Sequence, residues 1–129
     1  MNVMRVLVCG GRDFHDIELV NVVLAELDKS IGITTIIHGK AKGADTLGGV
    51  WGEANQKEIL VFPADWKKHG KRAGPIRNQQ MLDEGHPDLV VAFPGGNGTE
   101  HMKKISRRSN VDVIGVSGTA RKPILKDFF

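Results

Sequence analysis

The chain has 129 residues, of which 40% are apolar and 26% charged, the size of one domain with ordinary globular composition. Its 37 Leu, Ile, Val and Phe residues can build a core, which excludes wholesale disorder. A single cysteine excludes an internal disulfide and a paired-cysteine zinc site, and no apolar run reaches the ~20 residues of a membrane span. Two features ask for an explanation: sixteen glycines and a net charge of +3.

Met1 to Arg5 runs directly into strand-like sequence, with no apolar h-region of a signal peptide, so a cytoplasmic protein is expected. Arg5 to Cys9 is short, β-branched and followed by Gly10-Gly11, the pattern of a buried strand ending in a turn. Ile17, Val20, Val23, Leu24, Leu27 and Ile31 repeat at helical spacing behind Asp16, a suitable N-cap. Ile33 to His38 reads as a second strand, and Asp45 to Lys57 as a helix weakened by Gly48, Gly49 and Gly52, each costing ~1 kcal/mol against Ala. Ile59 to Phe62 is a third strand, and Lys67 to Arg72 reads as a charged loop. Pro75 suits a first helical position, with the helix running to Glu84 and Gly85 just beyond its end.

Asp88 to Phe93 is a fourth strand, Thr99 to Ser109 a helix with Met102 and Ile105 on one face, and Val111 to Val116 a fifth strand. Residues 117–129 form a weakly patterned tail, in which Phe128 and Phe129 either pack back or serve a partner. Apolar strands separated by helices imply a mostly parallel sheet covered on both faces. Right-handed crossovers make it a doubly wound, Rossmann-like α/β fold of about five strands over residues 1–116.

Ligands of such folds bind beyond the carboxyl ends of the strands. Four segments follow strand ends here: Gly10–Asp13, Gly39–Asp45, Pro63–Trp66 and Pro94–Glu100. They hold seven of the sixteen glycines, at 10, 11, 39, 43, 95, 96 and 98. Glycine lets backbone amides approach a ligand closely, and helix N-termini beyond such turns favour an anion. The segments therefore describe either a phosphate cradle or a set of ordinary strand-to-helix turns. Gly39 to Gly43 lacks the Walker spacing and Gly95–Gly98 is not GxGxxG, so neither an NTPase nor a dinucleotide enzyme is indicated. No cofactor is expected, and the five histidines lack the HxxxH spacing of a metal site.

Five blocks carry a resemblance: Gly10-Gly11-Arg12-Asp13, His38-Gly39-x-Ala41-x-Gly43-Ala44-Asp45, Phe62-Pro63-Ala64-Asp65-Trp66, Gly74-Pro75-Ile76-Arg77-Asn78-x-x-Met81 and Phe93-Pro94-Gly95-Gly96-x-Gly98-Thr99. In this order they resemble the YspA-like branch of the SLOG superfamily, named for the SMF/DprA and LOG proteins. The resemblance implies a Rossmann-like pocket for a nucleotide or nucleotide-derived molecule. LOG enzymes cleave a modified adenine from ribose 5′-monophosphate, using PGGxGTxxE and an upstream arginine. Arg77 resembles that arginine and Pro94 to Thr99 the phosphate loop, but Met102 stands where the glutamate belongs. An oxocarbenium-like state needs a carboxylate that methionine lacks. Glu100 lies about 200° around the helix from Met102; it, Asp13, Asp45 and Asp65 are the carboxylates on the expected rim.

The catalytic candidates are thus Arg77, Glu100 and Asp45. The expected ligand contacts are Gly10, Gly11, Arg12, Gly39, Gly43, Ala44, Asp45, Trp66, Arg77, Asn78, Pro94, Gly95, Gly96, Gly98 and Thr99. Thr99 suits an N-cap as well as a phosphate contact; Asp45 suits a helix cap, a ribose contact or a base. Trp66 suits base stacking or simple packing, and His38 a ligand contact or a satisfied buried position, whereas Cys9 and Trp51 read as buried. The basic runs Lys67, Lys68, Lys71, Arg72 and Lys103, Lys104, Arg107, Arg108 are either solvated faces or an attraction for phosphate or nucleic acid. The DprA relatives bind single-stranded DNA, which makes such a binder a further alternative beside the small-molecule module and the hydrolase. LOG relatives form dimers, so the resemblance also implies a homo-oligomer.

Overall fold

The computed structural model describes residues 3–128. Strand β1 (Arg5–Cys9) sends Val6 and Val8 to one face of the sheet and Leu7 and Cys9 to the other, the period-two alternation of a strand buried on both sides. Helix α1 (Ile17–Ile31) begins where the Asp16 carboxylate accepts from Leu19 N at 3.0 Å. It ends at Gly32 in the left-handed region, φ 72°. Its buried stripe of Leu19, Val20, Val23, Leu24 and Leu27 packs with Val6, Val8, Ile36 and Trp51.

Strand β2 (Thr35–His38) leads to α2 (Ala44–Ala54). The three glycines that weaken this helix on propensity are the ones that seat it. A Cβ on Gly48 would stand 2.7 Å from Val8, on Gly49 2.7 Å from the His38 ring, and on Gly52 2.6 Å from Ile59. Strand β3 (Glu58–Val61) follows. The expected charged loop is instead a short helix α3 (Trp66–His69), capped by Asp65 through Lys68 N at 3.0 Å, and a 3-10 turn over Gly70–Arg72.

Helix α4 (Ala73–Gly85) places Pro75 third rather than first, still among the N–H groups that need no helical acceptor. It runs through Gly85, and His86, φ 51°, takes the left-handed position expected of the glycine. Strand β4 (Leu89–Ala92) leads into α5 (Asn97–Arg108), which starts two residues before the expected position. Strand β5 (Asp112–Gly118) turns through Thr119–Lys122 into β6 (Pro123–Phe128). The expected tail is thus an edge strand, antiparallel to β5 from Val113↔Phe128 to Gly118↔Pro123. Phe129 and the side chain of Phe128 lie outside the described residues, so the two readings of that pair stay as expectations.

The six strands form one sheet in the order β3-β2-β1-β4-β5-β6, parallel except for β6. The α1 and α2 side holds one core, and Leu7, Ile37, Met81, Val90, Met102 and Ile105 join the other under α4 and α5. This is a doubly wound, Rossmann-like α/β fold. Among the described residues no helix is long and apolar enough to cross a membrane.

Candidate functional site

Strand order reverses between β1 and β4, the switch point at which a doubly wound sheet opens a crevice. The turns after both strands meet there. Gly11 N donates to Pro94 O at 2.8 Å, and Ala44 N, at the start of α2, donates to Gly11 O at 3.3 Å. Glycine is needed where the turns touch. Gly43 sits at φ 82°, and a Cβ on it would overlap the Gly11 carbonyl oxygen. One on Gly95 would stand 2.6 Å from Gly11 N. Gly96 and Gly98 face open space.

A cavity of about 700 Å³ opens from this junction, within the usual range for small-molecule sites. Of the residues expected from the sequence, Gly10, Gly11, Arg12, Asp45, Trp66, Arg77, Asn78, Gly96, Gly98 and Thr99 line it. Gly39, Gly43, Ala44, Pro94, Gly95 and Glu100 do not. The glycines and Pro94 among these hold the turns together behind the wall, and Ala44 is fully buried. Glu100 instead pairs with Lys103 at 3.0 Å, its side chain 62% exposed.

The α5 N-terminus forms one wall. Its N-cap is Gly96, with no side-chain cap; Thr99 is the third helical residue, so the expected capping role fails. The first-turn amides have no helical acceptor. Thr99 is buried at the same end and lines the cavity.

Opposite stands Asp45, second residue of α2 and not its cap. Its carboxylate accepts from Gly39 N at 2.9 Å and, weakly, from Ala41 N at 3.5 Å, which folds the β2–α2 turn back on itself. Burial pushes its pKa up from 3.8 to about 6, against the pull of these amides and of Arg77. Arg77, half-buried on α4, donates from Nη1 to Gly39 O at 2.6 Å and from Nε to Asn78 Oδ1 at 3.1 Å. Burial lowers its pKa while Asp45 opposes the shift, and a guanidinium stays charged throughout. Its Nη2 makes no hydrogen bond to the described residues.

At the mouth, the Arg12 guanidinium carbon lies 5.3 Å from the centroid of the half-exposed Trp66 ring, in cation–π range. Cys9 lines the cavity, where burial drives its thiol pKa far upward and disfavours the thiolate. Met81 and Met102 complete an apolar floor. His38 faces the α2 core instead: it is buried, and its Nδ1 accepts from Lys40 N at 3.0 Å. Sequence reasoning missed His101, which lines the cavity beside Asn78. Only its place one residue past Glu100 in the same helical turn was available to suggest it.

A doubly wound sheet with its glycine-rich turns gathered round a cavity at the switch point defines a Rossmann-like α/β domain with a strand-end pocket. More narrowly, the chain belongs to the YspA, cpYpsA-related SLOG family, whose sequence profile matches residues 4–69. It is also 37% identical over 118 residues to the Gene 61 protein of Mycobacterium phage D29, an alignment spanning 85% of this chain and 94% of that one. The profile match covers the Gly10–Asp13, His38–Asp45 and Phe62–Trp66 blocks; Arg77 and Pro94–Thr99 fall beyond it.

Proposed function

We propose that the chain binds a nucleotide or nucleotide-derived small molecule in the cavity at the β1/β4 switch point, as a sensor, carrier or sequestering module. The observation that carries this reading is that the uncapped α5 N-terminus and Arg77, whose Nη2 makes no hydrogen bond to the described residues, line one cavity. Both favour an anion, and an arginine fork suits a phosphate. Charge supports it too. The four strand-end segments hold three Lys and Arg against four Asp and Glu, and the run 67–72 that follows the third adds four cations, which brings the sum to +3. A phosphorylated ligand would be steered to that rim. The half-exposed Trp66 offers a ring face for a planar base.

Native mass spectrometry of the protein as purified from cells tests the reading directly, by a retained nucleotide mass. Nucleoside mono- and diphosphates and ADP-ribose should raise the melting temperature, and Arg77→Ala should weaken the best of them at least ~10-fold, the loss of a charge-assisted hydrogen bond. No shift from any member of the panel would sink the proposal.

One observation favours hydrolysis as a second reading: Asp45 is a cavity-wall carboxylate with a pKa pushed up to about 6, in the range useful to a general acid or base. With Glu100 paired to Lys103, it is the one carboxylate among the described residues that line the cavity. Nucleoside monophosphates incubated with the protein should then release free base, abolished in Asp45→Asn; intact substrates across the panel would leave binding alone. Salt-dependent retention of single-stranded DNA would instead favour a nucleic-acid partner.

A further inference from the structure

Four side-chain and main-chain groups on the cavity wall fix one another's protons. Arg77 Nε can only donate, so the Asn78 atom 3.1 Å away is the amide oxygen. The Gly98 carbonyl can only accept, so the Asn78 atom 3.2 Å from it is the amide nitrogen. That same nitrogen stands 3.1 Å from His101 Nδ1. With both its orientations decided by other partners, Asn78 has a hydrogen to give and no acceptor to offer there. His101 Nδ1 must accept, and the ring proton of the neutral imidazole must sit on Nε2. Asn78 is buried, so water does not readily replace it as the partner.

The Nε2 atom makes no hydrogen bond to the described residues, and His101 lines the cavity. The residue lies one turn into α5, whose side chains lean back towards the N-terminus and its uncapped amides. The geometry points to His101 as a binding residue. Held as its Nε2–H tautomer by Asn78, it donates a hydrogen bond to a phosphoryl or adjacent sugar oxygen of a ribose 5-phosphate group. This deepens the nucleotide reading above and rests on it.

Two measurements test the inference. In long-range proton–nitrogen spectra of the ligand-free protein with labelled histidine, His101 should show the pattern of the Nε2–H tautomer, giving way to a mixture in Asn78→Ala. A His101 spectrum of the Nδ1–H form in the unaltered protein overturns the assignment without reference to any ligand. In binding assays with ribose 5-phosphate and adenosine 5′-monophosphate, His101→Phe should lose ~10-fold in affinity, the scale of one hydrogen bond to a charged group. His101→Gln, whose amide nitrogen falls near Nε2, should stay within ~3-fold, and His101→Asn, which reaches only as far as Nδ1, should fall with Phe. Undiminished binding by His101→Phe, or equal affinity of the Asn and Gln variants, overturns this inference alone. Failure of the unaltered protein to bind these probes and every member of the nucleotide panel sinks the functional reading and this inference together.

Discussion

Asp45 shows what burial does to one residue. Its sequence position suggests a helix cap, yet the carboxylate reaches backward to two turn amides and lies 5% exposed beside Arg77. The pKa rises from 3.8 to about 6 on folding, so the folded chain holds this proton more tightly than the unfolded one. Between about pH 4 and 6 stability from this group therefore falls as pH rises, and above pH 6 the cost is constant at about 3 kcal/mol, two units of ~1.36 kcal/mol each. Asp45→Asn should flatten that limb of the stability–pH curve, read by urea denaturation at several pH values; an unchanged slope would assign it elsewhere. Gly43 makes a steric prediction. With φ at 82° and the Gly11 carbonyl where a Cβ would stand, Gly43→Ala should destabilise by about 2–4 kcal/mol, seen as a lowered melting temperature. The sequence marks the glycine, but its neighbour across the turn is 32 positions away and only folding supplies it.

At the scale of elements, α2 sets intrinsic preference against packing. Alanine at Gly48 would gain ~1 kcal/mol of helix propensity. It would also press a methyl to 2.7 Å from Val8, in a strand that cannot retreat. Overpacking costs ~1–3 kcal/mol, so Gly48→Ala should come out destabilising by up to about 2 kcal/mol in chemical denaturation, the reverse of its effect in an isolated peptide. The other departures have the same origin. The basic run 67–72 carries no apolar stripe, yet Asp65 caps a single turn there that brings Trp66 to the mouth. Helix α5 starts at Asn97 because Gly96 serves as its cap without a side chain, leaving Thr99 inside the first turn. By contrast α1 was legible from its Asp16 cap and its apolar stripe, which act locally, and Gly32 in the left-handed region closes it.

The molecule as a whole is organised by the reversal of strand order. Strands β1 and β4 are buried along almost their whole length, while β3, on one edge, exposes Glu58 and Val61. Native-state amide exchange should be slowest in β1 and β4 and fastest among the strands in β3 and β6, following burial and edge position. Fast exchange in β1 would contradict that order. The same topology puts four strand-end segments, far apart in the chain, on one rim, with the basic run 67–72 directly after the third. Much of the glycine surplus serves the site: some glycines seat α2 and lock the turns together, and Gly96 and Gly98 on the cavity wall face open space.

By itself the sequence determined the class of fold, the five parallel strands, the capped first helix and ten of the residues around the cavity. The fold, the helix and eight of those residues are encoded by local periodicity, by residues that stop or cap an element, or by the rule that ligands sit beyond strand ends, while Arg77 and Asn78 came from the family resemblance. Tertiary structure decided the sixth strand, whose pairing with β5 supplies an order that its own pattern does not announce. It decided as well that Glu100 faces Lys103 while Asp45 faces the cavity, and that Arg77, Asn78 and His101 form one hydrogen-bonded chain. Those depend on the rotation of α4 and α5 against each other and against the sheet. That rotation is set by packing among residues distant in sequence, which no local pattern specifies.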